Sequence, residues 1–396
     1  MTQSIRIAIV GGGVAGASLL HALIKYSHLD VHIFESATEF KEAGMAFGLA
    51  RNAQAALQLI GPSAMQCLQR AGAVPMKDVQ FTVQGKRLTS IVHRAAFLQE
   101  LLAGIPPDQM HASKKLERVD LKKLGKVENE KADQNSPVTL HFTDGTAHEC
   151  DILSDVTATP RNNGGWFLMT LQPFDKAQAS LGKELVDIEN ACEYGWIGQN
   201  ALLMHNILSN GGEPVQFAIA SNDTGLSNDT GVDSGSLDRW QRNVRVDEIK
   251  KLFKDFPPHI NKAVDELLCD VPERKALYLW EHLNAHTYVS GLMCVIGDAA
   301  YSTTLWHGSG GGMSVEDSVI LSTLLGRART PTEALAALKV YDRDMLMGRH
   351  AETRLDPKKF GSFVSRWDFI IDIDMEKYRD DALQMMEAEL KGEGIV

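Results

Sequence analysis

The sequence predicts an α/β chain, in which a doubly wound parallel sheet is interrupted by an antiparallel sheet and followed by helices. Three observations predict it. A glycine-rich turn joins an apolar run to a helical pattern near the start; hairpins without crossover helices occupy the middle; strand–glycine–helix grammar returns after Val295.

Taken in order, Ile5 to Val10 is a short β-type run and Val14 to Tyr26 carries apolar residues at helical spacing. Val31 to Glu35 ("VHIFE") is a second strand, completing a β-turn-α-β unit. "VHRAAFLQELLAG" places Phe97, Leu98, Leu101 and Leu102 on one helical face. "VTLHFTDGTAHECDIL" reads as a hairpin about Asp144-Gly145, because Asp-Gly tolerates the positive φ of a tight turn. "ALLMHNIL" and "PVQFAIA", parted by Asn210-Gly211-Gly212, form another hairpin. Residues 221–236 ("SNDTGLSNDTGVDSGS") are polar and glycine-rich, the composition of a solvated loop. The last sixty or so residues are mostly helical in pattern.

The bulk numbers narrow the function classes. The chain has 396 residues, 44% of them hydrophobic, enough for two domains with real cores. Its formal net charge of −11 leaves no basic surplus to neutralise phosphates, so nucleic-acid binding is not expected. No run of apolar residues is long enough to span a membrane. The five cysteines are scattered and never in a CxxC pattern, which suits free thiols in the cytoplasm.

Two stretches carry chemistry. "IAIVGGGVAGASLL" holds Gly11-x-Gly13-x-x-Gly16 between strand and helix, and Glu35 ends the next strand. The first glycine permits the turn, the second lets a pyrophosphate approach, the third lets helix and strand pack, and the acid accepts from a ribose. This is a dinucleotide site, for NAD or for FAD. The other stretch, "VIGDAAYSTTLWHGSGGGMSVEDSVIL", sets Asp298 at a strand end and Gly310, Gly311 and Gly312 just before a helix. Bare backbone at a helix start offers N–H donors and a positive dipole to something very close. A nicotinamide enzyme has no use for this second site, whereas a bound flavin does.

The order GxGxxG…Glu35…"GLARNAQAAL"…"VHRAAFL"…"VIGDAA…GSGGGMSVED" resembles the FAD-dependent aromatic monooxygenases, in particular their salicylate-hydroxylase-like branch, over nearly the whole chain. The resemblance implies a Rossmann-like FAD-binding domain (1–75, 86–160 and 276–345) interrupted by an antiparallel β-sheet substrate domain (76–85 and 161–275), with a C-terminal helical segment (346–396). It implies that Gly11, Gly13 and Gly16 cradle the FAD pyrophosphate, Glu35 holds the adenosine ribose and Gly48 lies against the cofactor. Arg94 would contact FAD, Asp298 would bind the ribityl chain, and Gly310, Gly311 and Gly312 would underlie the pyrimidine edge of the flavin. NAD(P)H and O₂ would serve hydroxylation of a phenolic or related small aromatic or polyketide-type substrate. That substrate would lie against the antiparallel sheet, among residues 166–170, 203–207 and 216–220. No base is identified; Tyr301 and His307 (with Trp306) lie on a loop that would overhang the flavin, and His205 is a further candidate. Self-association into a homodimer stays open.

The chain also departs from the family pattern. Of an Asp-Gly signature expected after the hairpin, "CDILSDVTATPRNNGGWF" keeps only Asp151 and Asp155. Tyr301 and Leu305 stand where relatives have histidine and proline, "GGWFLMTLQ" lacks an aromatic-Arg element, and "MHNI" replaces a Tyr-Pro pair. These changes fall on flavin reduction and substrate handling. They leave an alternative, a family member that keeps the FAD scaffold without oxygenating, either catalysing a non-redox rearrangement or cyclisation or inactive. Elsewhere, His282 and His286 lack a third metal ligand, Glu316 and Asp317 read as helix-start charges, and Lys114 and Lys115 as solvated surface.

Overall fold

The computed structural model describes residues 4–41, 46–76, 78–81, 89–121, 138–154, 161–198, 201–208, 214–222, 240–281, 287–302, 310–347 and 373–392. The elements that position the site are, in chain order, β1 (Ile5–Val10), α1 (Val14–Leu23), β2 (Leu29–Phe34), β3 (Ala46–Ala50), α2 (Arg51–Ile60), β4 (Thr89–His93) and α3 (Arg94–Leu102). The middle of the chain supplies β5 (Ile152–Ser154), β6 (Arg161–Gln172), α4 (Phe174–Leu181), β7 (Cys192–Ile197), β8 (Ala201–Ile207), β9 (Val215–Asn222), α5 (Val246–Phe253) and β10 (Glu273–Glu281). The last part supplies α6 (Asp298–Tyr301), α7 (Gly310–Arg327), α8 (Pro331–Met347) and α9 (Met375–Lys391).

β1 lies at the heart of a six-stranded sheet, parallel to β2 on one side and β5 on the other. Met293–Cys294 adds to β5 in parallel, so a segment nearly three hundred residues from the start returns to the first sheet. Alternation along β1 explains its two-sided burial. Ile5, Ile7 and Ile9 enter the core shared with α1, α3 and α7, while Ala8 faces Phe34, Leu153 and the Val138–Phe142 strand. The hairpin read at Asp144-Gly145 is present, with Gly145 at φ +81° and the Asp144 carboxylate accepting from Thr146 N–H at 3.0 Å.

The second sheet has seven strands, in the order Gln241–Arg245, β10, β6, β9, β8, β7, Asp78–Phe81. β8 and β9 are the expected antiparallel hairpin, with Ala201 opposite Ser221 and Ile207 opposite Val215. β10 pairs with Gln241–Arg245 over Glu273–Leu277 and with β6 over Leu277–Glu281, across a register shift, so the boundary expected at 276 falls inside a strand. One face of the sheet, carrying Trp166, Leu168, Leu203, Phe217 and Ile219, is buried beneath α4, α5 and the helix Pro258–Ala263. By strand alternation the other face carries Phe167, Met169, Met204, Asn206 and Gln216. It meets the first domain, where Gln216 Oε1 accepts from the Ala46 N–H at 3.0 Å.

Among the described residues no helix is long and apolar enough to cross a membrane, and no group of side chains is placed to hold a metal ion. His282 and His286 lie outside the described residues. No disulfide joins any of the five cysteines, and burial pushes the Cys150 and Cys294 thiols up to about 12.

Candidate flavin and substrate site

The first turn is built as its glycines require. Gly11 has φ +108°, a conformation that disfavours side chains, and its N–H donates to Phe34 C=O at 2.8 Å. A Cβ on Gly16 would sit 2.0 Å from Gly11 C=O, so only glycine lets α1 approach this closely. Gly13 is the N-cap of α1, without a side-chain cap and without an acid in the first turn. The helix start therefore keeps its donors and its positive dipole for an outside anion.

Glu35 follows β2 and faces that turn. Its Oε2 accepts from Gly12 N–H at 2.7 Å and its Oε1 from Ala37 N–H at 2.7 Å. Sequence reasoning passed over Gly12 and Phe40. A Cβ at Gly12 would lie 2.5 Å from the Phe40 ring and 2.9 Å from Glu35 Oε2, which is the signal hidden in the third consecutive glycine.

The second stretch packs directly on the first. Gly297, at φ +60°, has room for no Cβ: one would lie 2.8 Å from Ala15 Cβ on α1 and 2.9 Å from Ser314 Oγ on α7. Asp298 opens α6 with its side chain exposed, and its Oδ1 lies 3.7 Å from where a Gly310 Cβ would be. Cβ atoms on Gly311 and Gly312 would come within 2.6 Å of the Phe47 ring and 3.1 Å of Ala53 Cβ. The Gly297 turn thus packs α1, with Glu35 at its start, against α7, with Asp298 near its first glycine.

Gly48 pairs with Ile91, and the room it leaves is taken by Thr89 Cγ2, 3.0 Å from a would-be Cβ. Arg94 opens α3, one residue beyond His93, which pairs with Ala46.

Tyr301 does not overhang the site: it is 7% exposed within the first core and donates its hydroxyl to Asp317 Oδ2. Burial and that carboxylate hold its phenol well above the ordinary range. Asp317 and Glu316 are not solvated helix-start charges but are 5% and 3% exposed. Asp317 also accepts from Gly297 N–H at 3.1 Å, and Glu316 accepts from the Asn52 amide, so the pair ties the Gly297 turn and α2 to α7. Lys114 is engaged, donating to Asp144 and to Thr146 Oγ1 and closing the hairpin turn.

His205 sits on the helix-covered face of the second sheet, away from the first domain. It is stacked among Tyr194, Trp196 and Phe217 at ring separations of 5.1, 5.1 and 5.5 Å, with Nε2 donating to Leu185 C=O at 2.8 Å. Burial lowers its pKa to about 4, the value of a structural, neutral imidazole. Asp151, one remnant of the Asp-Gly signature, accepts from Arg6 N–H at 2.9 Å and from the Arg6 guanidinium at 2.8 Å, joining the start of β5 to β1. His307, Trp306, Leu305 and Asp155 lie outside the described residues.

No family model matches the chain. Curated relatives do. The chain is 28% identical over 418 residues to a 6-methylsalicylate 1-monooxygenase of Aspergillus terreus, covering 96% of this chain and 87% of the relative. It is 26% identical to a salicylate hydroxylase of Pseudomonas putida, covering 85% and 81% of the two chains. Among solved structures, a substrate complex of salicylate hydroxylase superposes with TM-score 0.74 at 20% identity, covering 96% of this chain and 98% of that one. Over nearly its whole length the chain is similar to FAD-dependent aromatic monooxygenases of the salicylate-hydroxylase kind. Its mixed α/β architecture, with an antiparallel sheet inserted into the first domain and helices at the C-terminal end, is the fold of that structure. The Gly13 start of α1, with neither a side-chain cap nor an acid in its first turn, leaves backbone donors that suit the phosphates of a flavin dinucleotide.

Proposed function

We propose that this family member is a working monooxygenase, which uses FAD, NAD(P)H and O₂ to hydroxylate a phenolic or related aromatic, polyketide-type substrate. The observation that carries the reading is the abutment of the two glycine turns through Ala15 and Gly297, which supports one extended ligand held at both. The relatives favour oxygenation over a non-redox or inactive scaffold.

In this reading the bound flavin supplies the redox chemistry and the oxygen transfer. The chain supplies position and charge. Gly11, Gly13 and Gly16 cradle the pyrophosphate at the α1 start, Glu35 accepts from the adenosine ribose, and Gly48 and Arg94 flank the dinucleotide. Asp298 accepts from the ribityl hydroxyls. The α7 start at Gly310, Gly311 and Gly312 offers N–H groups and dipole to negative charge on the reduced ring. The inner face of the second sheet excludes water from the substrate. Cysteines that form no disulfide suit a cytoplasmic setting.

Reconstitution tests this. Protein incubated with FAD and desalted is expected to stay yellow, and anaerobic NADH or NADPH to bleach it faster when a phenol is present. Aerobically, the phenol is expected to gain one oxygen atom. A protein that retains no FAD, or whose bound FAD no nicotinamide reduces, overturns the proposal.

A further inference from the structure

We propose that Asn206 positions the substrate, and that the row Glu193–Asn206–Gln216 selects neutral hydroxylated aromatics over aromatic carboxylates. This rests on the monooxygenase reading and names its substrate class.

The three side chains lie side by side on neighbouring strands. Asn206 is opposite Gln216, and Asn206 Nδ2 donates to Glu193 Oε1 at 3.3 Å. Strand alternation turns Asn206 away from His205 and its helix-covered face, toward the first domain. Asn206 is 4% exposed, yet among the described residues its Oδ1 has no hydrogen-bond partner. A buried amide oxygen without a donor is a position that a ligand's donor would complete.

The orientation of that amide is set by its neighbour. A carboxylate only accepts, so Glu193 holds the NH₂ end and leaves the oxygen as the free acceptor. Gln216 is oriented in the opposite sense, because its Oε1 is taken by Ala46 N–H at 3.0 Å and its NH₂ remains to donate. Ala46 precedes Phe47, whose ring stands 2.6 Å from the Cβ position of Gly311, so the row is close to the glycine start of α7. Beyond the row, Ala218 stands between Met204 and Met169 on the same face, a small apolar floor between two larger side chains.

A phenolic hydroxyl both donates and accepts, and so satisfies Asn206 Oδ1 and the Gln216 amide together. An ionised carboxylate cannot donate to the buried Oδ1, and it would bring a second negative charge toward the half-buried Glu193. Relatives named for salicylates act on rings that carry a carboxylate. This row is arranged against one.

The test compares resorcinol with 2,4-dihydroxybenzoate, which differ by that carboxylate alone, by calorimetric titration of FAD-loaded protein. Resorcinol is expected to bind about tenfold or more tightly. Asn206→Leu is expected to lower resorcinol affinity by about tenfold while FAD is retained, and Glu193→Gln to narrow the preference by admitting the benzoate. If Asn206→Leu does not fold, the wild-type pair and Glu193→Gln decide. FAD-loaded wild type that binds the benzoate as well as resorcinol overturns the selection while leaving the monooxygenase reading intact. A protein that takes up no FAD overturns the monooxygenase reading, and this inference with it.

Discussion

His205 separates a structural from a catalytic histidine by measurement. Its ring is fully enclosed in an aromatic stack, its Nε2 is occupied by Leu185 C=O, and its Nδ1 has no partner among the described residues. Protonating Nδ1 would place a charge where nothing accepts it, which is why the folded-state pKa falls to about 4 from the ordinary 6.5. The sign follows: the folded state binds fewer protons than the unfolded one, so stability is full above pH 6.5 and drains away between 6.5 and about 4. Between pH 7 and pH 5 that linkage amounts to about 2 kcal/mol. Urea unfolding of wild type and His205→Phe at both pH values, followed by tryptophan fluorescence, isolates it. The variant is expected to lose about 1–3 kcal/mol at pH 7 because Leu185 C=O loses its donor, but its pH 7-to-5 drop is expected to be smaller by about 2 kcal/mol, which brings it close to wild type at pH 5. FAD retention and phenol-stimulated NAD(P)H oxidation are expected to persist in the folded variant. A pH drop equal to that of wild type, or turnover abolished in a folded and yellow variant, refutes the reasoning.

Gly16→Ala forces a methyl to within 2.0 Å of Gly11 C=O, so it is expected to cost about 1–3 kcal/mol in unfolding free energy and to elute colourless after FAD loading. Asp298→Ala removes a carboxylate that nothing in the core depends on. Its melting temperature is expected to match wild type while the FAD dissociation constant, measured by quenching of flavin fluorescence, rises about tenfold, or about 1.4 kcal/mol. Tyr301→Phe deprives buried Asp317 of a donor and is expected to destabilise by about 1–3 kcal/mol, with turnover of the folded, FAD-loaded protein close to wild type. A Tyr301→Phe protein of undiminished stability but lost turnover would return Tyr301 to the list of acting groups.

The parts legible in the sequence are those whose physics is local. Gly11 and Gly16 are needed by a backbone turn and by a helix–strand approach within a few residues, and Asp144-Gly145 by a hairpin turn, so spacing alone announces them. Glu35 was legible for a related reason: in a β-α-β unit the next strand must end beside the turn, and here its Oε2 reaches Gly12. The failures share a different origin. Glu316 and Asp317 look like ordinary early-helix acids, and only the long-range return of α7 to Asn52 and the Gly297 turn shows that they are buried ties. Tyr301 reads as a loop residue because nothing nearby in sequence reveals Asp317 as its acceptor.

In the second sheet the sequence says least about which residues face inward. Alternation says that His205 and Asn206 face opposite ways, but it does not say which way is inward until α4 and α5 are seen to cover one face. Histidine draws attention as a chemical residue, and in a β-hairpin flanked by Tyr194, Trp196 and Phe217 it is equally a flat ring that completes an aromatic stack. Its neutral neighbour carries no such signal. What distinguishes Asn206 is that a carboxylate on the next strand fixes its amide while its own oxygen is left unmatched, and both facts exist only once three strands lie together. Since a one-residue slip in register would exchange the two faces, the pairing of Tyr194 with His205 is what assigns one residue to stability and its neighbour to recognition.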